Sequence, residues 1–94
     1  MPRKFRDKRT AQFAAGMRVR AFSGFERQAD KRLTALMAAE TLNDLRVNRG
    51  NRQEQLSGDR NGQWSIRIND QWRICFEGTE DTIDPTEIEI VDYH

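Results

Sequence analysis

Hydrophobic residues recur with two different periods along this chain. In the first half they fall three and four apart. Ala11, Phe13, Ala14 and Ala15 follow Asp7, and Gly16 stands where a short helix would stop, so a helix is predicted over 7–15. Ala29, Leu33, Leu36 and Met37 make one apolar stripe at helical spacing and predict a second helix. Ser23-Gly24-Phe25-Glu26 ahead of it fits a capping box, with Ser23 capping and Glu26 reaching back. Thr41 to Leu45 suffices for one further turn.

From Trp64 onward the period is two. Trp64, Ile66 and Ile68 alternate with Ser65, Arg67 and Asn69; Trp72, Ile74 and Phe76 alternate with Arg73 and Cys75. Each run is a strand with one apolar face. The loop between them sets the register. A two-residue loop, Asn69-Asp70, would place Ile68 opposite Gln71 and mix the faces. A three-residue loop, Asn69-Asp70-Gln71, pairs Ile68 with Trp72, Ile66 with Ile74 and Trp64 with Phe76, and Asn and Asp tolerate the left-handed backbone such loops use. Ile88 and Ile90 supply another strand, Asn51 to Leu56 a weaker one, and Arg3 to Phe5 an edge strand. The fold expected is α+β, with two N-terminal helices packed on one face of a small, mainly antiparallel sheet.

That register puts Arg67 directly opposite Arg73 on the face away from the core. Like charges so placed are unfavourable unless solvent lets them splay or an anion lies between them, and phosphate suits the guanidinium fork best. On the last strand Ile88, Ile90 and Asp92 share one parity, and Val91 and Tyr93 the other. Strict alternation turns Tyr93 toward the arginine face and Asp92 away from it. The chain's single tyrosine and single histidine are its last two residues, Tyr93 and His94. With Asp92 they put three proton-handling side chains at the end of a strand, which would hold them still for acid–base work.

Composition narrows the setting. Ninety-four residues allow one domain, 1–94, with a small core. Mean hydropathy is -0.90 and 33% of residues are charged, so two tryptophans and five phenylalanines must carry much of that core. The lone Cys75 leaves no internal disulfide and suits a reducing compartment. Met1 to Arg9 is basic without an apolar run behind it, which is not a secretory signal, and no later stretch could span a membrane. A cytoplasmic protein with no membrane partner is expected. The net charge of +1 hides an asymmetry. Residues Arg3 to Arg32 are mostly basic among their charges, while from Glu77 onward every charged side chain is acidic, a protonated His94 excepted. A polyanion or an acidic protein fits the basic half.

Four segments in order resemble the HigB branch of the RelE-like toxins of type II toxin–antitoxin systems. They are Phe5-Arg6-Asp7-Lys8, the run from Leu56-Ser57-Gly58-Asp59 to Gly62-Gln63-Trp64-Ser65-Ile66, then Asn69-Asp70-Gln71-Trp72-Arg73-Ile74-Cys75-Phe76, and the ending Val91-Asp92-Tyr93-His94. The resemblance spans nearly the whole chain and implies the compact RelE-type fold. It also implies a ribosome-dependent endoribonuclease that cuts mRNA in the decoding site. A HigA-type antitoxin with a helix-turn-helix domain would neutralise it, and operator DNA would be bound only through that antitoxin.

The residues suit that chemistry. RNA is cut without metal when its own 2′-hydroxyl attacks the adjacent phosphate. This needs a proton acceptor, a proton donor for the leaving oxygen and positive charge on the phosphate. The sequence has no zinc-ligand cluster and no glycine-rich phosphate loop, so a metal-free, cofactor-free route is preferred. Arg73 matches the family arginine and would stabilise the phosphate. His94 has a reference pKa of about 6.5, suited to proton transfer. Tyr93 would orient the nucleotide, and Asp92 would orient or accept a proton. The chain departs from the family pattern at three positions: Ser57 replaces a lysine, Glu54 a histidine and Gln55 a proline. Arg52, Arg60 and Arg67 are the candidates to restore the missing charge near Ser57. The alternatives are a catalytically weak toxin-fold module that binds its antitoxin and tunes operator repression, or a small RNA-binding protein using the basic helices.

Overall fold

The computed structural model describes residues 3–46, 54–55, 62–78 and 85–92, and its first helix lies where the sequence places it. Helix α1 spans Lys8–Ala14. Asp7 is extended, and its carboxylate accepts the Thr10 N–H at 3.4 Å. At the other end the Met17 N–H returns to Gln12 O and the Gly16 N–H to Phe13 O, both at 3.0 Å, with Gly16 at φ +88°. This is a Schellman stop, and its left-handed residue is the one type that pays no Cβ penalty there.

Helix α2, Glu26–Ala38, begins differently from expectation. The capping box does not form. The residue at the N-cap is Phe25, which has no side-chain acceptor, while the Ser23 N–H closes a single 3-10 turn, Arg20–Phe22, on Arg20 O. The reason is burial. Phe22 and Phe25 are both buried, and the Phe25 ring lies 4.9 Å from that of Trp72. Burying a phenylalanine contributes about 1.5–3 kcal/mol, against about 1 kcal/mol for a cap. A reciprocal cap appears instead at α3, Leu42–Arg46. There Thr41 Oγ1 accepts the Asp44 N–H, and Asp44 Oδ2 accepts the Glu40 and Thr41 N–H groups. Those two backbone bonds hold the Asp44 carboxyl below its ordinary pKa.

The sheet is ordered β1-β2-β3-β4, with strands Glu54–Gln55, Gln63–Arg67, Trp72–Glu77 and Thr86–Asp92, and every neighbouring pair is antiparallel. The central hairpin has the three-residue register: Trp64 pairs with Phe76, Ile66 with Ile74 and Arg67 with Arg73. Asn69 Oδ1 accepts the Gln71 and Trp72 N–H groups, both at 2.8 Å, and Ile68 N–H reaches Trp72 O at 2.9 Å. The amide side chain thus mimics a turn of backbone. The expected weak strand over 51–56 is seen at Glu54–Gln55; its other residues lie outside the described ones. The expected N-terminal edge strand is a parallel bridge between Phe5 and Ile88. Phe22, Ala29, Leu33 and Leu36 on the helical side pack against Trp64, Ile66, Ile74, Phe76, Ile88 and Ile90 of the sheet, which forms the α+β core.

Two of the contacts that fasten β4, the strand that leads to the C-terminus, come from side chains of the N-terminal segment. Thr10 is fully buried, and its Oγ1 accepts the Ile90 N–H at 3.0 Å. Thr10→Val keeps the shape and leaves that donor unsatisfied, which costs about 1–3 kcal/mol. Chemical denaturation should show the loss, and Thr10→Ser should recover most of it. The second contact is Arg3 with Glu87, at 3.1 Å. The Arg3 side-chain and backbone hydrogen bonds hold the Glu87 carboxyl below its ordinary pKa. A depressed carboxyl stabilises the fold above its unfolded pKa, and that contribution disappears as pH falls through the folded value. Wild type should therefore exceed Glu87→Gln in stability at neutral pH, and the two melting curves should converge in acid.

Candidate functional site

The alternation that sends Trp64, Ile66, Ile74 and Phe76 into the core sends Ser65, Arg67, Arg73 and Cys75 to the opposite face. Ser65 and Cys75 are fully buried there, while Arg67 and Arg73 are half-buried. Arg73 Nε donates to Ser65 Oγ at 2.8 Å, and its terminal nitrogen lies 3.5 Å from Ser65 O. The serine is diagonal to the arginine across β2 and β3, since Ser65 pairs with Cys75. A rigid strand residue thus sets the direction of a guanidinium that would otherwise sample many rotamers.

The facing arginines do not share a partner. Arg67 bonds the carboxylate of Asp70 in the hairpin loop, and Arg73 turns to Ser65. Asp70 is 97% exposed, so its ion pair with Arg67 contributes little. Separate partners relieve the like-charge opposition.

Asp92 stands opposite Trp72 and shares the parity of Ile88 and Ile90, while Arg73 stands opposite Val91. The Asp92 carboxylate accepts from Gln71 Nε2 at 2.8 Å at the hairpin end. The strand register therefore separates Asp92 from the arginine face, as alternation predicts. Arg52, Ser57, Arg60, Tyr93 and His94 lie outside the described residues. Glu54 is described through its register alone, and it pairs with Ser65.

Two residues of this face were not singled out from the sequence. Ser65 is the Arg73 tether, and the pairing of Ser65 with Cys75 was the signal that could have exposed it. Glu89 pairs with Cys75 on the Arg73 side of the sheet, and its carboxylate lies 3.7 Å from Arg6. Its parity, between Ile88 and Ile90, was equally readable. Among the described residues no helix is long and apolar enough to cross a membrane.

Residues 3–94 match the family described as the RelE-like toxin of type II toxin–antitoxin system HigB. The chain is also 37% identical over 79 residues to Toxin HigB-1 of Vibrio cholerae serotype O1 (strain ATCC 39315 / El Tor Inaba N16961), covering 82% of this chain and 83% of that protein. This chain belongs to the RelE-like HigB toxins of type II toxin–antitoxin systems, a membership that implies an antitoxin partner.

Proposed function

We propose that this toxin is a ribosome-dependent mRNA endonuclease that works by metal-free attack of the RNA's own 2′-hydroxyl. RelE-like HigB toxins are generally endoribonucleases. The observation that carries the reading is Arg73, half-buried on the sheet face away from the core, steered by Ser65 and paired with Val91 two residues before Tyr93. In the reaction the 2′-oxygen bonds to phosphorus and the bond to the 5′-oxygen breaks. The 2′ proton passes to a base, and the departing oxygen takes a proton from an acid. The products are a 2′,3′-cyclic phosphate and a free 5′-hydroxyl. Arg73 neutralises the charge that builds on the phosphate. Tyr93 and His94 supply the proton transfers and the contact to the nucleotide, while Asp92, on the other face of β4 and bonded to Gln71, orients the strand end that carries them. Arg52, Ser57, Arg60 and Arg67 serve as the further contacts to RNA phosphate. The antitoxin is of the HigA helix-turn-helix type, and operator DNA is bound through it.

A second reading is favoured by Glu54. Its position beside Ser65 sets an acidic residue in the row that holds the Arg73 tether, where the family pattern has a histidine. Such a protein would bind its antitoxin and tune repression while cutting little RNA. Mapping mRNA 5′ ends after induced expression separates the two. The nuclease reading requires growth arrest and new 5′-hydroxyl ends within coding sequence. Unchanged transcripts in the presence of folded protein would leave the binding-module reading.

A further inference from the structure

The helical side of the molecule carries a surface that the cleavage chemistry does not use. Between α1 and α2, a cleft is lined by Ala11, Ala14 and Ala15 on one wall and Leu33, Thr34 and Met37 on the other. A second cleft, near the start of α2, is lined by Phe13, Met17 and Phe25 among others, and Asp30 borders both. Together they make one strip, apolar between α1 and α2 and mixed polar and apolar where it continues past Asp30 to the start of α2. Met17 and Met37, 54% and 39% exposed, are the large hydrophobics left exposed among the described residues, and one lies in each cleft. In so polar a chain, Met17 and Met37 fall on one strip, and methionine adapts readily to a partner's shape.

The strip has a basic border. Arg18 and Arg27 line the second cleft. Lys8 shares a helix face with Ala11 and Ala15, as Lys31 does with Arg27 and Thr34. None of these four cations has an ion pair among the described residues. Glu26 and Asp30 offset them in part. Between Arg3 and Arg32, Asp7, Glu26 and Asp30 are the acidic residues against ten basic ones. Nucleic acid would use the cations but gains little from a floor of alanine, leucine and methionine. An acidic amphipathic peptide uses both.

We propose that the α1–α2 strip is the docking surface for an acidic amphipathic segment of the antitoxin. Its apolar residues would cover Met17, Ala14 and Met37, and its carboxylates would meet Lys8, Arg18, Arg27 and Lys31. The proposal rests on the toxin–antitoxin family and stands whether or not the chain cuts RNA.

The test is to co-express the chain with the protein encoded by the adjacent reading frame, purify the complex and compare hydrogen exchange with the chain alone. Exchange should slow across residues 11–17 and 26–37. Met37→Glu should weaken binding about tenfold or more, because it sets like charge against the segment, while Met37→Lys should be tolerated within about threefold. Met37 is exposed, so both variants should fold, and circular dichroism checks that. Slowing on another face, equal losses for the two variants, or no complex at all would overturn the proposal. So would slowing in the chain alone at rising concentration, which means a second copy covers the strip. Protection by RNA with a steep salt dependence would do the same.

Discussion

Replacing Arg73 with alanine should lower the single-turnover rate of mRNA cleavage on the ribosome by about 10²–10³, the usual cost of losing one transition-state donor, about 2.7–4 kcal/mol. The fold should survive, because Arg73 is half-buried on the sheet face away from the core, where its guanidinium bonds Ser65. Arg73→Lys should recover only part of the rate, since an ammonium cannot hold Ser65 and a phosphate with one planar fork. Ser65→Ala offers the finer test. It keeps the cation and removes the acceptor at 2.8 Å that steers it. The rate should fall less than for Arg73→Ala, with the loss in turnover and not in ribosome affinity. An Arg73→Ala protein that cleaves within threefold of wild type would detach this arginine from the chemistry.

The register that positions Arg73 was fully legible in the sequence. Only a three-residue loop keeps Trp64, Ile66 and Ile68 on the same side as Trp72, Ile74 and Phe76, and the Arg67–Arg73 pairing follows from it. The same parity argument separated Asp92 from the arginine face. What alternation could not show is where a long side chain goes once its face is fixed. Arg67 turns to an aspartate in its own loop and Arg73 to a serine diagonal to it, choices made by side-chain reach and burial. The start of α2 shows a different limit. Ser23 and Glu26 had the spacing of a capping box, but the local rule lost to two phenylalanines whose partners are distant in sequence. The box-like cap formed instead at Thr41 and Asp44.

Those phenylalanines also locate the residue on which the fold depends most. Phe22 is fully buried and meets three aromatic rings: Phe13 at 5.6 Å and Trp72 at 5.7 Å, both edge-on, and Phe25 at 5.8 Å. The Arg9 guanidinium carbon lies 5.4 Å from its ring centre. One side chain thus joins α1, the entry to α2 and strand β3. Phe22→Ala removes that payload and leaves a cavity whose walls belong to three elements, so little of it can collapse. The cost should be about 3–5 kcal/mol. A domain of this size has a total stability of only about 5–14 kcal/mol at 0.05–0.15 kcal/mol per residue. The melting temperature should therefore fall by about 12 °C or more, at roughly 4–8 °C per kcal/mol. Phe22→Leu should cost far less, because it refills most of the volume. Met17→Ala, at an exposed position, should stay within about 0.5 kcal/mol of wild type. Thermal and urea melts of the three variants check this order. Because Trp72 touches Phe22 and directly precedes Arg73, the Phe22→Ala protein should also lose cleavage well below its own melting point. A loss of stability under about 1 kcal/mol would mean that the aromatic cluster is not the joint between the helices and the sheet.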